Sequence, residues 1–284
     1  MSVLHWGERT YVMGILNLTP DSFSGDGLAP VGSTSAEVTA AALRQAAAFV
    51  EAGADILDVG AESSRPAQFY GEHPPMSAAE EARLAVPVVQ ALVDAFGSQA
   101  LVSIDTVKAT VAHAALAAGA GMVNDVWAGR RDPGTLVAAA ESHAYMVLMH
   151  NRDVADYPTG VFDEVVSWLG SAIDDALGAG VAHERLIVDP GIGFGKTPEH
   201  SIELLHRLGE LKQALGGLPL LVGTSRKRFI GELLGGVPPQ DRLEGTAATV
   251  ALAIAQGADI VRVHDVAPIM RTVKVTDGIV RWRR

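Results

Sequence analysis

LIVDPGIGFGKT, running from Leu186 to Thr197, is the stretch that decides the fold. Leu186, Ile187 and Val188 form a short apolar run that meets Asp189, then Pro190, three alternating glycines and Lys196. An all-apolar run bounded by turn residues reads as a strand buried on both faces, as in a parallel sheet. Asp189 then falls at the strand end, and Gly191, Gly193 and Gly195 let the following loop pass close to a ligand.

The same order of apolar run, polar residue, loop and helix recurs in both directions from there. Val12 to Leu16 leads to Asn17 and a long loop rich in Gly, Pro, Ser and Asp. Ile56 to Val59 leads to Glu62 and a second long loop. Leu101 to Ile104 ends at Asp105, Met122 and Val123 at Asn124, and Tyr145 to Met149 at His150. Leu220 to Val222 precedes Thr224-Ser-Arg-Lys227, and Ile260 to Val263 ends at His264. Helices are expected over 36–52, from the Ser77 cap to about Phe96, over 107–118, and after Pro133. Others are expected over 161–179, from Pro198 to about Leu208, over 242–256 and from Val266. Val3 to Tyr11 is expected to form a short N-terminal β-hairpin.

Eight such units run through 1–284 with no break in composition, which implies a single (β/α)8 barrel domain with helices outside a parallel sheet. A doubly wound open sheet competes, but it usually has fewer strands, and the first turn lacks the GxGxxG dinucleotide loop.

Composition narrows the function. A net charge of −11 opposes nucleic-acid binding and anionic-membrane binding, both of which need a basic surface. The absence of cysteine rules out disulfides and Cys-ligated zinc or iron–sulfur centres, and is compatible with a reducing compartment. The N-terminal residues lack a basic segment followed by an apolar one, and Thr246 to Ala258 is too short to span a bilayer. A cytoplasmic protein is expected.

In such barrels chemistry sits at the C-terminal ends of the strands. An isolated Asp there most often caps a turn or the next helix, and a lone His is most often a satisfied core residue. Arg262, inside IVRVH, is harder to place so simply: its charge would enter the barrel end and needs an anionic partner. Lys196, Arg226, Lys227, Arg262 and His264 together put cations on the rim of an acidic protein, which favours a phosphate or pyrophosphate group. Asp105, Asn124 and Asp189 suit a flat ring rich in N–H donors, because a carboxylate can pair two parallel N–H groups of an amino-pyrimidine. The competing reading is a ligand-free salt-bridge network, since such networks also gather at strand ends. GIGFGKT is not a P-loop, because Pro190 stands where the first glycine is required, and no HExxH or GxSxG occurs.

These blocks resemble the dihydropteroate synthase family. The matching segments are Asn17-Leu-Thr-Pro-Asp-Ser-Phe-Ser24, Glu62-Ser-Ser-Arg-Pro66, Ser103-Ile-Asp-Thr106, Asn124-Asp125, Asp189 to Gly195, Thr224 to Lys227 and Arg262-Val-His264. They follow the family's order and span nearly the whole chain. The resemblance implies a barrel that joins 6-hydroxymethyl-7,8-dihydropterin pyrophosphate to p-aminobenzoate in folate synthesis and that sulfonamides inhibit. It implies that Asp105, Asn124, Asp189 and Lys227 hold the pterin beside Phe194. It implies that Asn17, Arg262 and His264 bind the pyrophosphate, Asn17 also through Mg²⁺. Ser64, Arg65 and Pro66, with Phe23, shape the p-aminobenzoate pocket. It implies a homodimer as well.

Three departures stand out. Gly25 is inserted in the first loop, so that Asp26 takes the place of the family's loop aspartate. Ser64 stands where threonine is usual, and Arg228 follows Lys227 where many members have a small polar residue. Two other readings compete: a pterin-binding methyltransferase domain, which would not need the Ser-Arg-Pro loop or the leaving-group cations, and a catalytically inactive paralogue.

Overall fold

Residues 4–18, 27–28, 32–62 and 76–282 are described by the computed structural model. The strands are β1 (Tyr11–Asn17), β2 (Ile56–Gly60), β3 (Leu101–Asp105), β4 (Met122–Asp125), β5 (Tyr145–Met149), β6 (Leu186–Asp189), β7 (Leu221–Val222) and β8 (Ile260–Val263). Between and after them come α1 (Ser35–Glu51), α2 (Ala78–Phe96), α3 (Ala109–Ala117), α4 (Gly134–Glu141), α5 (Val161–Gly178), α6 (Pro198–His206), α7 (Leu208–Ala214), α8 (Arg228–Leu233), α9 (Leu243–Ala255) and α10 (Val266–Val280). The strands pair in parallel in the order β6-β5-β4-β3-β2-β1-β8-β7. One parallel bridge, Val188 to Leu220, joins β6 to the start of β7, and the Val188 N–H donates to the Pro219 carbonyl at 2.9 Å. The eight strands therefore close into a barrel whose thinnest seam lies between β6 and β7.

Strand periodicity explains where the polar residues go. Alternate side chains point to one face, so Ile56 and Asp58 point the same way, as do Leu101, Ser103 and Asp105, Met122 and Asn124, Ile187 and Asp189, and Ile260 and Arg262. The lower members of these sets fill the barrel interior as an apolar cluster with Tyr11, Met13 and Tyr145. The upper members are all polar and crown that cluster. Asp58 is in register with Ser103, and Asp105 with Asn124. The opposite faces of the same strands (Leu57 and Val59, Val102 and Ile104, Val123, Val188) pack under the helices in a second apolar layer.

Three expectations need correction. Val3 lies outside the described residues, and the rest of the expected hairpin, 4–10, is turns and irregular backbone with no strand. Its N–H groups find side chains instead of a partner strand: Leu4 donates to the Tyr145 hydroxyl at 3.0 Å and His5 to the Tyr11 hydroxyl at 2.7 Å. Trp6 packs edge-on against Tyr11 and Tyr145, so the segment plugs the bottom of the barrel. The helix opened by Pro198 stops at His206, and a separate one follows from Leu208. Finally, α8 fell within a stretch for which no helix was expected.

The remaining helices match closely. Ser77 and Thr34 each close a reciprocal cap with the glutamate three residues on, and Thr197 does the same with His200 at the end of the glycine loop. Among the described residues no helix is long and apolar enough to cross a membrane.

Candidate active site

Arg262 organises the barrel mouth. Its Nε donates to Asp58 Oδ2 and its Nη2 to Asp105 Oδ2, each at 2.7 Å. The Asn124 amide donates to the same Asp58 oxygen at 3.0 Å. Side chains from β2, β3, β4 and β8 thus form one network, which answers the demand for an anionic partner with two. Asp58 Oδ1 and Ser103 Oγ, both buried, have no hydrogen-bond partner among the described residues. Burial pushes the Asp105 carboxyl above the ordinary carboxylate range, with Arg262 opposing that and Asp58 adding to it.

The glycine loop after β6 frames the adjoining wall. Asp189 is buried, and its Oδ1 accepts from the Gly191 N–H at 2.7 Å. Burial pushes this carboxyl up to about 6, against the Gly191 N–H and the Lys227 ammonium. Gly191 has φ +66°, and a side chain there would collide with the His150 carbonyl oxygen, so the loop can pass over the end of β5 only with glycine at this position. The Phe194 ring faces Lys227, whose Nζ lies 4.0 Å from the ring centroid. Such a cation over an aromatic face is favourable.

The loop after β7 and the end of β8 complete the rim. Ser225 Oγ lies 3.2 Å from the His264 backbone nitrogen, which donates to it, and 3.0 Å from His264 Nδ1. Arg226 takes φ +59° and turns away to a two-pronged pair with Asp265, at 3.0 and 2.7 Å. Asn17 ends β1 half-buried, its carbonyl accepting from the Leu28 N–H. Glu62 accepts from the Met76 N–H at 3.0 Å and pairs with Lys108, which also pairs with the buried Glu81.

Asp105 is therefore joined to Arg262 directly and Asn124 through Asp58, while Asp189 at the end of β6, with Phe194 and Lys227 on the loops after β6 and β7, forms a second group. His264 stands at the end of β8, and Asn17 at the end of β1. Phe23, Asp26, Ser64, Arg65 and Pro66 lie outside the described residues. Two rim cations are not where the sequence suggested. Arg226 is engaged by Asp265, and Lys196 is 4% exposed, folded beneath its own loop. Sequence reasoning missed Asp58, Ser103 and Ser225. For Asp58 the signal was present: in ILDVG it shares a face with Ile56 and breaks an otherwise apolar strand. No group of three or more acidic, His or Cys side chains suited to a metal occurs among the described residues.

Residues 13–264 match the profile of a family described as pterin binding enzyme. A curated dihydropteroate synthase from Synechocystis is 44% identical over 99% of this chain and 93% of its own length. A crystal structure of the dihydropteroate synthase of Clostridium difficile, in the presence of pteroic acid, superposes with a TM-score of 0.88. It is 42% identical and covers 99% of this chain and 100% of its own. That of the Xanthomonas albilineans enzyme with 4-aminobenzoic acid has a TM-score of 0.85 and 40% identity, covering 98% of this chain and 95% of its own.

Proposed function

The chain belongs to the dihydropteroate synthase family of pterin-binding enzymes, and from that premise we propose how its strand ends divide the reaction. The reaction condenses 6-hydroxymethyl-7,8-dihydropterin pyrophosphate with p-aminobenzoate to 7,8-dihydropteroate and pyrophosphate. Asp189 and Asn124 take the donor-rich edge of the pterin, Asp105 a further ring N–H, and Phe194 and Lys227 one wall of the slot. Arg262 and His264 face the diphosphate. The observation that carries this reading is the Arg262 network, which gathers two carboxylates, an amide and a fixed cation from four strands within one barrel mouth.

The chemistry asks for positioning and charge, and for no protein nucleophile. The methylene C–O bond breaks and its electron pair leaves with the diphosphate. The arylamine nitrogen then forms the new C–N bond and loses a proton. Arg262 and His264 neutralise the departing anion, which is electrostatic catalysis. Mg²⁺ suits this reading: Asn17 offers one hard amide oxygen, and the ion habitually takes few protein ligands and fills its shell with phosphate and water. When bound there it would supply further charge neutralisation to the diphosphate. The Ser64-Arg65-Pro66 segment, with Phe23 and Asp26, would receive the arylamine.

The protein acts on small molecules, in the cytoplasm and as a homodimer. Val275 and Ile279 on α10, with Leu252 on α9 and Trp282 just beyond α10, leave large apolar surface exposed on neighbouring elements, and a second copy would cover it. Incubation with Mg²⁺ and both substrates tests the reading. Release of dihydropteroate and pyrophosphate in equal amounts is expected. Pterin binding without turnover would instead favour an inactive paralogue.

A further inference from the structure

Lys196 has no task in that chemistry, yet it is built into the protein with care. It is almost wholly buried, and no described carboxylate pairs with it. Its Nζ makes two hydrogen bonds, to His150 Nδ1 at 2.8 Å and to the Phe194 carbonyl at 3.0 Å. A buried ammonium lacking a counter-charge is costly, and burial pushes Lys196 well below its ordinary value while Asp189 opposes that.

The partner is shaped to receive it. His150 is fully buried against the Trp168 ring, with centroids 5.0 Å apart. Burial, Lys196 and Arg152 hold the imidazole down to about 2. The ring is therefore neutral; its Nδ1 shares the hydrogen bond with Lys196 Nζ, and its buried Nε2 has no hydrogen-bond partner among the described residues. The loop is held from this side at two successive carbonyls: Lys196 takes that of Phe194, and the Tyr157 hydroxyl donates to that of Gly195 at 2.8 Å. The Phe194 N–H closes a turn onto the Gly191 carbonyl at 3.0 Å. With its carbonyl and N–H both committed, Phe194 has its ring directed to Lys227.

We propose that Lys196 is a positioning residue of the heterocycle pocket: braced on the His150 imidazole, it pins the Phe194 carbonyl and so sets the Phe194 ring against Lys227. The proposal rests on the pterin pocket assigned above.

Two variants and one probe test it. The probe is 6-hydroxymethyl-7,8-dihydropterin, which lacks the diphosphate, titrated calorimetrically beside steady-state kinetics. Lys196→Met keeps the bulk and removes the donors. It is expected to weaken dihydropterin binding about tenfold and raise KM for the pterin substrate to match, with KM for p-aminobenzoate within about twofold of wild type. His150→Asn keeps an acceptor near the Nδ1 position and should retain dihydropterin affinity within about threefold, whereas His150→Leu should copy Lys196→Met. A folded Lys196→Met that binds dihydropterin like wild type overturns the proposal, as does a variant that weakens both substrates equally. If Lys196→Met does not fold, the split between His150→Asn and His150→Leu decides, and equal affinities there overturn it. Failure of the wild-type protein to bind the probe would overturn the pocket assignment itself.

Discussion

The Nε of Arg262, near the end of β8, donates to Asp58 Oδ2, in the middle of β2, at 2.7 Å. Asp58 is wholly buried and also carries the Asn124 amide, so one carboxylate orients both the cation proposed for the diphosphate and the amide proposed for the heterocycle. Removing one partner of a buried pair costs about 3–5 kcal/mol, because the other charge is left uncompensated. Asp58→Ala should therefore lower the melting temperature markedly and reduce kcat/KM more than a hundredfold, roughly. Asp58→Asn keeps an oxygen acceptor and should recover most of the stability. Calorimetry and steady-state kinetics on the two variants check this.

Arg262→Lys should fail despite the conserved charge. A guanidinium reaches Asp58 and Asp105 with two separate nitrogens, and an ammonium cannot span both. The expected result is a fall in kcat of about two orders of magnitude with the protein still folded, read from kinetics and circular dichroism.

The Asp189 carboxyl sets an acid limit. Its pKa in the folded protein, about 6, lies above the ordinary 3.8, so the folded state binds this proton more tightly than the unfolded chain. Stability from this group is therefore greatest at low pH and is lost as pH rises from about 4 to about 6. Binding runs the other way, because ring N–H groups need the carboxylate. kcat/KM for the pterin substrate should fall about tenfold per pH unit below about 6. Asp189→Asn should abolish that binding and yet raise the melting temperature of the free protein at about pH 8.

Ser225 should govern His264. Its Oγ accepts from the His264 backbone N–H and lies 3.0 Å from Nδ1, so the hydroxyl biases which ring nitrogen carries the imidazole proton. Ser225→Ala should redistribute the two tautomers, visible in imidazole nitrogen chemical shifts, and lower kcat about three- to tenfold. Ser225→Thr should restore both.

Two further expectations follow from the proposed metal and assembly. Chelation of divalent cations should stop turnover, and Asn17→Ala should raise the Mg²⁺ needed for half-maximal rate about tenfold, leaving dihydropterin affinity unchanged. Ile279→Glu, on the exposed face of α10, should shift the sedimentation coefficient from dimer to monomer without unfolding the chain.

Much of this architecture is legible in the sequence because parallel barrels repeat one local grammar. Asp105, Asn124 and Asp189 each follow an apolar run, so their position at the mouth is a matter of counting. Asp58 escaped because it sits within its strand instead of after it, and only strand parity, taken from Ile56, points it inward. Lys196 and Arg226 were misplaced on the rim for a different reason. Loop side chains have no fixed periodicity, so their direction is decided by distant partners: His150, 46 residues away, for the first and Asp265, 39 residues away, for the second. The residues expected to receive the arylamine fall in 19–26 and 63–75, outside the described part of the chain.

The seam between β6 and β7 gives the barrel a mechanical weak point, since a single bridge from Val188 to Leu220 does there what a ladder of pairs does elsewhere. Asp189 stands on one lip of that join, and Lys227 follows from the other. On the proposed assignment, a flat molecule gripped by both residues would act as a rivet across the staves, so that the ligand would also tighten the hoop that holds it.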